Sequence, residues 1–278
     1  MKIAITAEST IDLPKELLEK YDIKTLPFTV ILGDKDYKDG DITSADIFKF
    51  VEENNILPKT SAINEAQYTE FFENVLKDYD AVVHFCLSSQ ISSACNNANL
   101  ASTNLKNVFV VDTKSLSTGI ALLAIYAREL AQSGKSAEEV AKLAEERTKD
   151  VQASFVVKKL DYLHKGGRCS SIALLGANLL SIRPEIVLNE GKMISAKKYL
   201  GKMEKVIEKY CKDVIAENPN SDKKYAFVTY TTATDEMVEI AKTALKNAGF
   251  KTIYETTAGA TITSQCGENT LGILFLNK

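Results

Sequence analysis

His84 and His164 are the only two histidines in 278 residues, so acid–base chemistry near neutral pH has few agents available. Neither stands at a metal-ligand spacing to another histidine or cysteine, so no zinc site is expected. His84 falls in an apolar run and reads as a satisfied core or sheet residue, and His164 beside Gly166 as a solvated one. No GxxxxGK[ST] phosphate loop occurs, no GxGxxG follows the first strand, and no GxSxG elbow is present. Hydroxyls, by contrast, crowd the polar loops, as at Thr60-Ser61 and from Ser88 to Ser93. Many hydroxyls with little acid–base machinery beside them suit binding better than turnover. The rival reading is an acyl hydrolase or transferase with Ser92 or Cys95 as nucleophile and His84 or His164 as its base.

These residues sit in loops between elements of alternating type. Residues 2–7, 80–87 and 108–111 read as buried strands, and residues 23–32 as one further strand. Helices are expected with Asp12-Leu13-Pro14 as N-cap and first turn running to about Lys20, from Thr43-Ser44 through Val51, over 65–76, within 88–104 and over 116–133. The alternation predicts a parallel sheet with helices on both faces, and ligands of such sheets sit at the carboxyl ends of the strands. From Gln152 onward the texture changes. A helical stretch at 160–163 leads to Gly166-Gly167-Arg168, and residues 172–180 read as a very apolar helix. Strands at 186–188 and 193–196 flank a hairpin turn at Asn189-Glu190-Gly191-Lys192. Helices over 202–217 and 233–248 and strands near 225–230, 252–255 and 271–276 complete the chain. The expectation is an α/β protein of two packed domains, 1–150 with a parallel sheet flanked by helices and 151–278 of mixed α/β type.

Composition narrows the class. A net charge of −3 and only four arginines argue against a general nucleic-acid surface. Five cysteines with no CxxC pair suggest a reducing compartment. No apolar run approaches the ~20 residues of a membrane span, and the first residues are interrupted by Glu8 too early for a signal peptide. A cytoplasmic protein without stable membrane insertion is expected.

Several segments, in order, resemble the DegV family of bacterial fatty-acid-binding proteins. Glu8-Ser9-Thr10-Ile11-Asp12-Leu13-Pro14 is close to the family's D-S-x-x-D-L-P, and Thr60-Ser61 matches the start of its T-S-Q-P. Residues 87–94 are close to S-S-x-L-S-G-T, and residues 112–119 resemble D-S-x-x-x-S-x-G. Residues 160–168, ending Gly166-Gly167-Arg168, are the most specific match, followed by Ile182-Arg183-Pro184 for the family's I-K-P.

The resemblance implies a long-chain fatty acid in an apolar tunnel between the domains. Its carboxylate would be held by Thr60, Ser61, Ser92, Ser93 and Gln265. Arg168, Gly166 and Gly167 would lie at the pocket mouth, near a separate fatty acid kinase that receives the presented carboxylate. No cofactor and no metal are implied. Read without the family, Ser92 and Thr60 would each simply start a helix. Three departures bear on the head group. The family's L-S-G-T reads Ile91-Ser92-Ser93-Ala94, its H-x-G-P-G reads Gln265-Cys266-Gly267-Glu268-Asn269, and a family arginine after the hairpin is Lys197 or Lys198. They leave open a head group other than a plain carboxylate.

Overall fold

The computed structural model describes residues 1–169 and 182–278. The apolar helix expected over 172–180 lies outside the described residues. The fold is α/β. The first part of the chain runs β1 (Ile3–Glu8), α1 (Lys15–Lys20), β2 (Ile23–Leu26), β3 (Thr29–Leu32), β4 (Lys35–Lys38), α2 (Ser44–Asn54), β5 (Lys59–Ser61) and α3 (Glu65–Leu76). It continues with β6 (Ala81–Cys86), α4 (Ala94–Ser102), β7 (Val108–Asp112), α5 (Thr118–Gln132) and α6 (Ala137–Glu146). Four of these strands form a wholly parallel sheet in the order β2-β1-β6-β7. A small antiparallel sheet, β4-β3-β5, stands beside it.

The expected single strand over 23–32 is therefore two strands in two sheets. Pro27 removes a ladder donor and fixes its own φ, so the strand ends there. Phe28 restarts the chain in a new direction, its N–H donating to Ser9 Oγ at 3.1 Å. The first helix is also shorter than expected. Asp12 ends a 3₁₀ turn with φ 54° and α1 begins only after Pro14, which leaves the Asp12 carboxyl free to turn inward.

The remainder supplies β8 (Val151–Val156), α7 (Asp161–Gly166), β9 (Ile182–Asn189), β10 (Lys192–Leu200), α8 (Met203–Glu217) and β11 (Ser221–Tyr230). It closes with α9 (Asp235–Asn247), β12 (Thr252–Thr257), α10 (Ala260–Cys266) and β13 (Leu271–Asn277). These strands build a mixed six-stranded sheet, β10-β9-β8-β13-β11-β12. The hairpin of β9 and β10 turns at Glu190-Gly191, as its sequence predicts. Strand β8 and helix α10 had no clear sequence signal.

Local chemistry sets most helix starts. Thr43, Asn64 and Ser136 each close a capping box with the residue three positions on, satisfying two otherwise orphaned donors. Helix α5 is apolar on every side because it is packed from both sides, touching β1 and β6 of one sheet and β8, β11 and β13 of the other. Ten of its fifteen residues are buried, Ile120 to Ile125 among them. Helices α8 and α9 are amphipathic and cover the opposite face of the six-stranded sheet, where Tyr210 and Phe275 are fully buried.

The two parts of the chain are stitched together by polar contacts at the top of the parallel sheet. Asp12 Oδ1 accepts from the Gly259 N–H at 2.8 Å, and Asp39 Oδ1 from the Ala260 N–H at 2.8 Å. The Ser88 hydroxyl donates to Gly191 O at 2.8 Å, fastening the hairpin turn to the loop after β6.

Burial, opposed by hydrogen bonds from Ser117 and Gly259, pushes the Asp12 carboxyl up to about 8. A carboxyl raised from 3.8 in this way binds its proton more tightly when folded. Its contribution to stability is therefore full below about pH 4, declines as pH rises and is lost on passing through about 8. Asp12→Asn, which keeps an acceptor without the titration, should flatten the loss of stability between those limits. Urea midpoints of both proteins across the range check this.

Candidate ligand-binding site

The loops at the carboxyl ends of β6 and β7 meet β5, β10, α10 and the turn after α7 around a cavity of about 270 Å³. Thr60 and Ser61 enter it from β5, and Ser92 and Ser93 from the loop before α4. Arg168 enters from the turn after α7 and Gln265 from the last turn of α10. The five expected carboxylate-site residues thus share one chamber with Arg168, although 205 positions separate Thr60 from Gln265 in sequence. Phe28, Leu87, Leu116, Met193 and Ile262 supply its apolar wall.

Thr60 does not start a helix. It is a strand residue, paired opposite Val30, and the helix that follows is capped by Asn64. Ser92 does not start one in the expected sense either. Ser93 is the N-cap of α4 and its hydroxyl makes no capping bond, while Ser92 Oγ accepts from the Ala94 N–H at 3.1 Å. The remaining first-turn amides have no acceptor within the helix, and an anion at this end is favoured by the helix dipole. Asn97 holds α4 in place, its Nδ2 donating to Ile63 O at 2.8 Å.

Gln265 donates from Nε2 to Thr60 Oγ1 at 3.2 Å. Its carbonyl oxygen packs against Gly166, where an added Cβ would stand only 2.3 Å from it. Gly166 is thus needed for close approach. Gly167 serves the turn instead. It caps α7 with φ 70° and lines neither this cavity nor its neighbours. Arg168 is exposed and borders both the cavity and an outer pocket of about 370 Å³ whose wall also includes Lys59, Lys165 and Gly166. Inward, Leu116, Ile262 and Cys266 are shared with a small pocket lined further by Ala153, Phe155 and Leu274. Burial pushes the Cys266 thiol up to about 12, so it faces the chamber as a neutral group.

Neither histidine lines any of these three pockets. His84 is fully buried on β6 and His164 is exposed on α7. Cys95 is buried, its sulfur 3.6 Å from Asn99 Nδ2, and does not border the chamber. Lys197 pairs with Asp213 and Glu217 at distances of 3.4 and 2.5 Å, away from the cavity. Glu268 is exposed and lies on the far side of Tyr162. Thr261, Ile262 and Met193 are lining residues that sequence reasoning missed. The signal for the first two was weak, because α10 is a run of small and β-branched residues with low helix propensity.

The family model described as an uncharacterised protein of the DegV family matches residues 2–278. The chain belongs to the DegV family. A relative from Thermotoga maritima named fatty acid-binding protein is 33% identical over 98% of this chain and 96% of its own. Among solved structures, a DegV family protein from Thermus thermophilus, described by its fatty acid binding, superimposes with a TM-score of 0.92 at 27% identity, covering both chains fully. DegV of Bacillus subtilis, described as a fatty acid binding protein, gives 0.87 at 27% identity, again over both full chains. Among the described residues of this DegV chain, no helix is long and apolar enough to cross a membrane.

Gly166→Ala should displace the Gln265 carboxamide from Thr60 at little cost to the fold, since Gly166 has helical geometry and the clash is with a side-chain tip. The side-chain amide resonance of Gln265 should shift while the melting temperature stays within a few degrees, a change of about 1 kcal/mol or less.

Proposed function

We propose that this chain binds a long-chain fatty acid, with its carboxylate among Thr60, Ser61, Ser92, Ser93 and Gln265 and its alkyl chain running inward past Leu116 and Ile262. The observation that carries this reading is the arrangement of one chamber, with hydroxyls and a carboxamide at one end and an apolar wall leading into the interior at the other. An ionised carboxylate shielded from water needs several donors, and four hydroxyls, the Gln265 amide and the start of α4 offer them. Burying each methylene contributes about 0.8 kcal/mol, so the alkyl chain can supply much of the affinity. The fatty acid binding stated for the Thermus and Bacillus proteins supports the same ligand class here.

The chain acts as a carrier and not as an enzyme. Ser92 faces the chamber, but among the described residues no histidine lines it to serve as base, and Cys95 lies outside it. This counts against the hydrolase or transferase reading. The acid is presented to a separate fatty acid kinase through the mouth bordered by Gly166 and Arg168, with Gly167 shaping the turn between them. The outer pocket there carries Lys59, Lys165 and Arg168, a surface suited to a phosphoryl donor. In this proposal residues 1–150 form the N-terminal α/β domain and residues 151–278 the α/β domain that covers the acyl chain.

Mass spectrometry of the purified protein, native and then denatured, tests the ligand. A fatty acid released in stoichiometric amount is expected, and an empty protein or a different amphiphile would overturn the reading. Ser92→Ala should keep the fold and weaken fatty acid binding roughly 10- to 100-fold, the loss of one hydrogen bond to a charged group. Unchanged affinity in a titration would remove Ser92 from the head-group site.

A further inference from the structure

Beneath the ligand chamber, a second group of side chains has no part in the proposed binding. On the face of the parallel sheet covered by α3 and α4, Thr6 of β1 is paired with His84 of β6. Glu8 and Cys86, two residues further along each strand, point to the same side. The ligating atoms of Glu8, His84 and Cys86 all lie within 4.8 Å of one another, and all three residues are fully buried. Cys95, in the first turn of α4, is buried nearby but outside this group, its sulfur 3.6 Å from Asn99 Nδ2.

Two features of the group are unusual for an ordinary core. His84 Nδ1 is 2.8 Å from Thr6 Oγ1, but among the described residues Nε2 has no hydrogen-bond partner. Its nearest acceptor, Glu8 Oε1, is 3.8 Å away, too far for a hydrogen bond. Buried polar nitrogens are rarely left so. The second feature is that Glu8 is held as if oriented for a purpose. The Tyr68 hydroxyl donates to Oε1 at 2.6 Å and the Leu87 N–H to Oε2 at 2.5 Å. The rings of Tyr68, Phe71 and Phe72 stand edge-on to the imidazole and close the site to solvent.

We propose that Glu8, His84 and Cys86 form a zinc site with three protein ligands. One imidazole nitrogen, one carboxylate oxygen and one sulfur are ligand types zinc accepts. Donation of an Nδ1 proton to Thr6 would leave the Nε2 lone pair facing the ion, and the Tyr68 and Leu87 bonds would orient the carboxylate. Such an ion would tie the ends of β1 and β6 to each other, and through the Leu87 amide to the loop carrying Ser92. The i, i+2 spacing of His84 and Cys86 is that of a strand, and the carboxylate arrives only through the sheet register.

The full-length chain, expressed with zinc and desalted under reducing conditions, should retain roughly equimolar zinc. Cys86→Ser and His84→Gln should lose it, and Cys211→Ser, on the buried face of α8 in the other core, should not. Because the first two variants could fold poorly, wild-type protein stripped with a chelator and given Co²⁺ provides an independent reading. Thiolate-to-cobalt charge-transfer absorption and a raised melting temperature are expected. Failure of the stripped wild-type protein to take up Co²⁺, or undiminished zinc in folded Cys86→Ser, would overturn the site and leave a water-bridged polar core.

Discussion

Two buried acidic side chains hold the candidate site together. Asp12 and Asp39 come from different loops of the N-terminal part, yet they accept from consecutive amides, Gly259 and Ala260, at the start of α10. Each is steadied by a serine: Ser117 donates to Asp12 at 2.5 Å and Ser9 to Asp39 at 2.8 Å. A Cβ at Gly259 would stand 3.0 Å from Asp39 Oδ1 and 3.1 Å from Asp12 Oδ1, so a side chain there would press both acceptors back by a few tenths of an ångström. The helix has poor intrinsic propensity, and these caps satisfy donors that would otherwise be buried without partners. Gln265 rides on the last turn of the same helix. Its reach to Thr60 is therefore fixed by contacts made at the opposite end of α10.

This dependence explains which parts of the fold were legible in the sequence. Amphipathic helices such as 65–76 and 202–217 carry their own period, the first with its own capping box, and the apolar strands β1, β6 and β7 stand out as buried runs. The hairpin announced itself through Glu190-Gly191. What could not be read was decided by distant partners. Helix α10 depends on acidic side chains about 220 to 250 residues away. The run over 23–32 looks uniformly strand-like, and only the competition between two sheets shows that Pro27 divides it. Strand β8 enters the sheet between β9 and β13, a position no local pattern specifies.

The site was legible in a different way. Thr60, Ser61, Ser92, Ser93, Arg168 and Gln265 came together as a set because motif order, rather than any single spacing, pointed to them. Their local settings were less readable. Thr60 looked like a helix start because Thr-Ser commonly is one, but Asn64 closes a better capping box with Gln67 and takes that role. Ser93, rather than Ser92, is the N-cap residue of α4, but the hydroxyl that takes a first-turn amide is that of Ser92. Gly166 and Gly167 are adjacent in sequence and distinct in physics, one making room for a side chain and the other supplying a positive φ.

The departures from the family pattern acquire a physical meaning in this frame. A glutamine at position 265 brings no charge, so it can be held against Thr60 and Gly166 without a counter-ion, and the chamber keeps a neutral donor set at its polar end. Positive charge is displaced outward to Arg168, Lys165 and Lys59, where water screens it and its contribution to affinity is modest. Such a division separates two tasks. Hydroxyls and helix amides can hold a head group in a fixed position inside, while the exposed cations act on whatever approaches from outside. Ser93, standing where the family has glycine, adds a hydroxyl to the inner set at the cost of closer backbone approach. The inner chamber is thus suited to hydrogen-bond geometry and the outer one to charge, and a ligand spanning both would be read by each in turn.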